Sequence, residues 1–503
     1  MRRSSTRNAK DNEANGEAWQ EVVVTRSTVE TGEPGRRDPV EGRGHRNKGL
    51  TEGNTMGTQR PENSHDNADD VSTRLCWIAE IAKRLPNERL SALAHHIDVR
   101  WMQEAFDRTR KDGGTGIDGQ TATEYRSNLL ENLESLVERA KSGTYHAPSV
   151  RRVYIPKPGS TETRPIGIPT FEDKVLQRAV VMVLEPIYEQ SFQSFSYGFR
   201  PGRNQHQALQ ELRKGMTENK GGWVIDLDIR KFFDTLDRGK LREIMAKRIG
   251  DGVIRKLIDK WLKAGVMENG EISYNEAGTP QGGVISPLLS NIFLHEVLDE
   301  WFINDVQPRM QGKSFVVRFA DDAVLGFENK CDAERVMAVL PKRFNKYGLT
   351  VHPEKTKLID MSMPTNRSQN GDSHDGDTGS FTFLGFLHHW GKSRNGYWVI
   401  RQKTDKSRLA RAILKVTEWI QKNRHLPLKE QQQKLNQKMM GHYGYYGITG
   451  NSRSLSRYFY AIQTSWHKWL ARRSNLRSFT WAMFYECLKR CPLPRPRIVH
   501  SYV

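Results

Sequence analysis

The sequence is poor in cysteine, in long apolar runs and in acidic charge. Cys76, Cys331, Cys487 and Cys491 are the four cysteines in 503 residues. Such scattered thiols make no disulfide framework, which excludes a disulfide-stapled secreted domain and predicts a reducing compartment. Cys487 and Cys491 form one pair without a second, and read as structural. No run of roughly 18 apolar residues occurs, so no membrane-spanning helix is encoded. No apolar stretch follows Met1, which argues against a secretory leader, and the acidic residues near the start disfavour an organelle transit peptide. No internal repeat at solenoid or propeller spacing appears.

Acidic residues number 59 against 78 Lys and Arg, a net charge of +19. An excess of that size predicts a polyanionic partner, most simply nucleic acid. Its distribution is uneven. Residues 1–70 hold 11 basic and 13 acidic side chains, residues 71–390 hold 44 and 42, and residues 391–503 hold 23 and 4. The C-terminal 113 residues therefore carry the whole excess, and the long middle is balanced like an ordinary folded enzyme.

A chain of this length calls for several domains. Residues 1–70 are rich in Gly, Asn, Glu, Arg and Ser and read as a disordered tail. Helical spacing begins near Leu75, and residues 71–222 are expected to be mostly helical, with strand-like RRVYIPKP (151–158) and RPIGIP (164–169) among them. Residues 223–390 hold buried strands around GWVIDLDI (222–229), FVVRFADDAVLGF (315–327) and FTFLGF (381–386). PTNRSQNGDSHDGDTGS (364–380) has no apolar residue and reads as a mobile surface loop. From about Asp405 to the end the pattern is helical, with breaks expected near Pro427 and over Gly441–Gly450.

Two of these strands carry acids where strands usually bury hydrophobics. VIDLDIRKFFD holds Asp226, Asp228 and Asp234, and a period of two puts Asp226 and Asp228 on one face. RFADDAVLG holds Asp321 and Asp322. Burying carboxylates without partners costs several kcal/mol each. Divalent cations remove that cost, and a pair of Mg²⁺ ions about 4 Å apart is a general device for in-line phosphoryl transfer. The bland reading is that these are turn or cap aspartates.

VVRFADDAVLGF resembles the Tyr/Phe-x-Asp-Asp motif of reverse transcriptases, and DLDIRKFFDTLD (226–237) resembles their preceding aspartate motif. AGTPQGGVISPLLSNIFLHEVLDEW (277–301) is similar to the segment between them in bacterial group II intron-encoded proteins. So are YIPKPGSTETRPIGIPTFEDKVLQRAV (154–180), FSYGFRPGRNQHQAL (195–209), GLTVHPEKTK (348–357) and FTFLGF. GHYGYYGITGNSRSLSRYFYAIQTSWHKWL (441–470) and PLPRPRIVH (492–500) resemble the maturase region of that family, so the resemblance covers roughly residues 75–503.

The resemblance implies an α+β right-hand polymerase, with an N-terminal extension and fingers over 71–222 and an antiparallel palm with interleaved fingers and helical insertions over 223–390. A helical, basic thumb and maturase domain over 391–503 follows. Asp228 and Asp321 would be the principal ligands of two Mg²⁺ ions, Asp322 a less direct third, and the Ile229 carbonyl a further ligand. Asp226 stands outside this triad, as a supporting carboxylate. Phe233 would lie under the incoming sugar and exclude a 2′-hydroxyl, although it also fits a plain core position beside Phe232. Lys157 and Arg164 would hold the triphosphate, which suits a point charge and a guanidinium fork. Gln281 and Gly282 would let backbone approach the nucleotide. Lys355 or Lys357 would act near the departing pyrophosphate. Arg318 reads as structural or backbone-contacting. Phe319 stands where many relatives have Tyr, which keeps the ring and drops a hydroxyl.

Sixteen aromatics are interleaved with the basic residues of 391–503. Lys and Arg bind phosphates and exposed rings stack on unpaired bases. Arg453, Arg457, Lys468, Arg472, Arg473 and Arg477 are the candidate RNA contacts. Trp466, Trp469 and Tyr458, at helical spacing, also fit the core of a bundle.

The expected activity is RNA-directed DNA synthesis from dNTPs, with assistance to splicing of the chain's own group II intron RNA and insertion into target DNA by target-primed reverse transcription. The alternatives are a domesticated relative used in DNA repair, phage defence or spacer acquisition, and an RNA-folding maturase with a vestigial polymerase. No HNH-type nuclease segment is expected, and the setting implied is the bacterial cytoplasm, at the nucleoid when DNA is engaged.

Overall fold

The computed structural model describes residues 70–156, 162–268, 271–274, 282–364, 379–393, 395–473 and 479–501. The tail over 1–69, the bulk of the loop expected over 364–380, and Lys157, Gln281 and Arg477 lie outside the described residues. The chain divides into two units, Met1–Arg74 and Leu75–Val503. Of the first, only the opening turn of helix α1 (Val71–Arg84) is described.

In the second unit α2 (Val99–Arg108), α3 (Ala122–Ser127) and α4 (Leu129–Ser142) come first. Their starts are chemically marked: Asp98 accepts from the Trp101 N–H, and Thr121 and Glu124 form a reciprocal capping box. Strands β1 (Val150–Pro156) and β2 (Thr163–Ile168) form an antiparallel hairpin. Next come α5 (Phe171–Glu189), α6 (Gln205–Glu218), β3 (Trp223–Leu227), the single turn α7 (Phe232–Thr235), α8 (Arg238–Arg248) and α9 (Gly252–Lys263). Short strands β4 (Val266–Glu268) and β5 (Glu271–Ser273) extend the first hairpin into a sheet of order β2-β1-β4-β5.

Helix α10 (Ser286–Leu294) continues through two π-helical turns, His295–Asp299 and Phe302–Val306. Strands β6 (Ser314–Phe319) and β7 (Asp322–Phe327), helix α11 (Lys330–Asn345) and strand β8 (Lys357–Asp360) follow. They complete an antiparallel sheet of order β6-β7-β3-β8. Strands β9 (Phe381–Phe383), β10 (Phe386–Lys392) and β11 (Trp398–Thr404) make a third sheet. Helices α12 (Lys406–Lys422), α13 (Leu428–Tyr446), α14 (Ser452–Ala471) and α15 (Trp481–Arg490) follow. The helical pattern expected to the end stops at Arg490, because residues 491–501 leave the helix and bond back to Gly447 through the Val499 and His500 N–H groups.

One core joins the second and third sheets. Val224, Val317 and Val324 pack with Leu209 and Leu212 of α6, with Phe381, Phe386 and Ile400, and with Ile448 from beyond α13. The boundary drawn at 390/391 falls inside β10, strand β11 follows over Trp398–Thr404, and the helices begin only at Lys406. The break expected over Gly441–Gly450 narrows to Gly447–Gly450, because α13 runs through Gly441 and Gly444. Burial of His442 and Tyr443 on the same turn outweighs the glycine penalty there.

The four terminal helices enclose a second core of Leu409, Val416, Ile420, Leu435, Met439, Tyr443, Tyr458, Ile462, Trp466 and Phe484. Trp466 is fully buried and donates from Nε1 to Gln431 Oε1 at 2.9 Å. Tyr458 is buried as well, whereas Trp469 is only partly so. Trp466→Ala should lower unfolding free energy by about 3–5 kcal/mol in a denaturant titration. Tyr460→Ala, at a ring 64% exposed on the same helix, should change it by under about 0.5 kcal/mol.

Candidate active site

The site forms where β3 ends beside the β6–β7 turn. Phe319 pairs with Asp322, which leaves Ala320 and Asp321 as a two-residue turn. Ala320 has φ +57°, a left-handed conformation that costs a non-glycine residue on the order of 1 kcal/mol and persists only where its surroundings enforce it. Leu227 pairs with Ala323, so the chain leaving β3 at Asp228 passes the turn. Asp228 is held through its backbone. Its N–H donates to Thr356 Oγ1 at 3.2 Å, and its carbonyl accepts from the same hydroxyl at 3.2 Å and from the His352 N–H at 2.8 Å. The Arg230 N–H donates to the Thr350 carbonyl at 2.9 Å and fixes the residue beyond Ile229.

The turn is gripped from beneath by Arg318, which is fully buried. Its Nε and Nη2 donate to the two carboxylate oxygens of Asp299 at 2.8 and 2.5 Å. Its Nη1 donates to Asn291 Oδ1 at 2.9 Å and to the Ala320 carbonyl at 3.0 Å. Burial alone would raise the Asp299 carboxyl, but Arg318 and His295 hold it below the usual range. The structural reading of Arg318 therefore stands, and its contact with the turn is direct.

The acids interact strongly. Burial, then Asp321, Asp228 and Asp226, push the Asp322 carboxyl up to about 7, against the pull of Arg164. Asp322 still presents surface to solvent, so its low-dielectric wall lies on the protein side only. Asp321 is raised by burial and by Asp228, with its own backbone N–H, Arg164 and Arg318 opposing. Asp226 is raised to about 6 by burial and Asp228, while Lys357, its cross-strand partner on β8, opposes. Lys355 Nζ lies 3.5 Å from Asp228 Oδ2 in an exposed pair worth under about 1 kcal/mol.

Arg164 on β2 thus acts electrostatically on both members of the acidic turn. Gly282 packs against β2 with φ +112°, and a Cβ there would lie 2.6 Å from the Gly167 carbonyl oxygen. Glycine is required at that contact. Phe232 is core, packed on Phe293, whereas Phe233 is partly exposed, with ring centroids 5.2 Å apart. Phe319 packs partly buried against the shared core.

Among the described residues no group of three or more His, Cys, Asp or Glu side chains is gathered so as to hold a metal ion on its own. The donor set nonetheless suits Mg²⁺, which binds through one or two carboxylates and completes its shell with water and substrate phosphate. Asp226 and Asp322, driven to hold protons towards neutral pH by burial and by the acids around them, belong to a set that a divalent cation relieves.

The basic candidates lie elsewhere. Arg453, Arg457 and Lys468 are exposed, and with the exposed Tyr460 they occupy one narrow face of α14. Lys468 and Arg472 stand over the Trp469 ring at 5.7 and 5.3 Å, joined by Arg424 at 5.8 Å. Only the part of Arg424 in this ring had no sequence signal, because it lies 45 positions from Trp469. Arg473 donates to the Leu426 carbonyl and is partly committed to that contact.

Residues 155–388 match the family described as Reverse transcriptase (RNA-dependent DNA polymerase). The chain is 36% identical over 287 residues to Protein YkfC of Escherichia coli (strain K12), covering 49% of this chain and 75% of that protein. It is 44% identical over 169 residues to the Group II intron-encoded protein LtrA of Lactococcus lactis subsp. cremoris, covering 33% of this chain and 28% of that one. A third relative, Nuclear intron maturase 2, mitochondrial, of Arabidopsis thaliana, is 29% identical over 175 residues, 27% of this chain and 24% of its own length.

The shifted carboxyls predict a pH signature. Asp226 and Asp322 hold protons more tightly folded than unfolded, so without metal their contribution to stability is greatest below about pH 4 and is lost as pH rises towards 7. A cation that displaces those protons stabilises most where they are already gone. Thermal stabilisation by millimolar Mg²⁺ should therefore grow between about pH 6 and pH 8 and shrink in Asp321→Asn. An equal shift at both pH values would place Mg²⁺ elsewhere.

Proposed function

The chain belongs to the group II intron type of reverse transcriptase, and on that premise we propose that the acidic turn and Asp228 form its polymerising centre. The observation that carries the reading is the meeting of Asp228 with Asp321 and Asp322 at the ends of adjacent strands, backed by Arg164. In this reading the sheet β6-β7-β3-β8 is the palm, residues 71–222 supply the fingers, and the helices from Lys406 are thumb and maturase.

Asp228 and Asp321 would hold two Mg²⁺ ions, with Asp322 and the Ile229 carbonyl completing the protein's share. Those ions, when bound, supply Lewis acidity and charge neutralisation to the transferring phosphoryl group. The remaining work falls to this chain's residues. Arg164, with Lys157, binds the incoming triphosphate, and its guanidinium fork fixes oxygens that gain charge during transfer. Gly282, beside Gln281, lets backbone close on the nucleotide. Phe233 presents its partly exposed ring to the sugar and rejects a 2′-hydroxyl by contact. Lys355 is the better placed lysine for the departing pyrophosphate, because its ammonium already stands against Asp228.

The substrates are dNTPs on an RNA template. Group II intron proteins and maturases act with intron RNA, and here the exposed cationic face of α14 and the cations around Trp469 would grip that RNA and assist its splicing. Target DNA would receive the copied element by target-primed reverse transcription. Among the described residues no helix is long and apolar enough to cross a membrane.

Two variants separate these roles. Asp321→Asn should abolish Mg²⁺-dependent primer extension on an RNA template and leave affinity for structured RNA within about twofold. Replacing Arg453, Arg457 and Lys468 together by Glu should do the reverse: extension on a short primer–template persists, RNA affinity drops, and the slope of log affinity against log salt falls by about 2. Extension by Asp321→Asn at the wild-type rate would refute the polymerase assignment.

A further inference from the structure

Arg318 is one arm of a larger clamp. Asn291, on α10, is fully buried and bonds in two directions. Its Oδ1 accepts from Arg318 Nη1 at 2.9 Å, and its Nδ2 donates to the Gly198 carbonyl at 2.7 Å. Gly198 also closes on the acidic turn. A Cβ added to Gly198 would lie 2.3 Å from the Ala320 amide nitrogen, so backbone meets backbone there. The segment carrying Gly198 is itself tied to β6: the Tyr197 N–H donates to the Arg318 carbonyl and the Arg318 N–H to the Phe195 carbonyl, both at 2.9 Å. Arg200 secures the far end through Glu189 and the carbonyls of Gln193 and Ser196.

Ala320 is therefore held at both of its backbone groups. Arg318 takes its carbonyl, Gly198 leaves no room at its nitrogen, and a single amide side chain, Asn291, connects the two holds. Asp299 fixes the other edge of the Arg318 fork, and it reaches that position on a π-helical turn that continues α10. A left-handed alanine has to be imposed by its surroundings, and this arrangement imposes it. The residue so fixed immediately precedes Asp321.

We infer that Asn291 and Asp299 are positioning residues for the acidic turn, setting the place of Asp321 through Arg318 and Gly198. The inference rests on the reading of Asp321 as a metal ligand, and Asn291 touches neither substrate nor metal. Its effect should appear in metal affinity and turnover, while RNA binding and nucleotide KM stay in place. Asn291→Asp is the sharper variant, because it is isosteric and keeps the acceptor for Arg318, yet it sets an oxygen against the Gly198 carbonyl. Asn291→Ala removes both bonds.

The experiment uses the full chain with an RNA template, a dideoxy-terminated primer and the matching dNTP. Mn²⁺ is titrated and followed by electron paramagnetic resonance, and kcat and dNTP KM are measured separately with extendable primer. Both variants should weaken Mn²⁺ binding by about tenfold and lower kcat at least as much. KM for dNTP and RNA affinity should stay within about twofold. Wild-type Mn²⁺ affinity and kcat in both variants would overturn the inference. So would failure of both to fold under conditions where Asp321→Asn folds, since Asn291 would then serve the core alone. The underlying reading fails in a different way, through Asp321→Asn retaining Mn²⁺ binding and extension.

Discussion

Like charges crowded at the ends of two adjacent strands are the constraint on which this molecule turns. Asp228 raises the proton affinity of Asp226, Asp321 and Asp322, and Asp321 and Asp226 add to the effect on Asp322, so no ordinary core would gather these side chains. The surroundings answer with cations of differing freedom. Arg318 is immobile and wholly buried, Arg164 lies on the neighbouring sheet, and Lys355 is exposed and loosely paired. On the proposed reading, the repulsion left over would be an affinity for divalent metal, turning a local destabilisation into a capacity for catalysis.

The fixed cation also explains why the fold around the turn is so tightly specified. An Arg–Asp pair removed from water is stable only when every donor finds an acceptor. Arg318 meets that requirement with Asp299, Asn291 and the Ala320 carbonyl. Those partners lie on α10, its π-helical extension and the turn, so a single side chain orders three elements. The apolar core shared by the second and third sheets then carries this order outward to the helices that begin at Lys406.

Much of this was legible in the sequence where local chemistry decides it. The period-two acids of VIDLDI and the FADD hairpin depend on residues close in the chain. What escaped depended on contacts between distant residues. Lys355 and Lys357 look alike in the sequence, but Lys357 on β8 pairs with Asp226 whereas Lys355, ahead of that strand, lies beside Asp228. The 390/391 division cut a strand because charge composition changes there while the sheet does not. Trp466, Tyr458 and Trp469 share a helical period, yet only packing separates the first two, in the core, from the third, ringed by cations. Asn291 and Asp299 gave no signal beyond two polar residues in an apolar helix.

The central claim is that the segments around Asp228, Ala320–Asp322 and His352–Thr356 converge on one divalent-metal site. Fe²⁺ bound in place of Mg²⁺, with ascorbate and peroxide, generates hydroxyl radicals that cut backbone near the ion. Fragments from the full chain should map to cuts within 226–229, 319–322 and 352–356, suppressed together by excess Mg²⁺ and lost in Asp321→Asn. Cuts confined to one of these segments, or unaffected by Mg²⁺, would contradict the account.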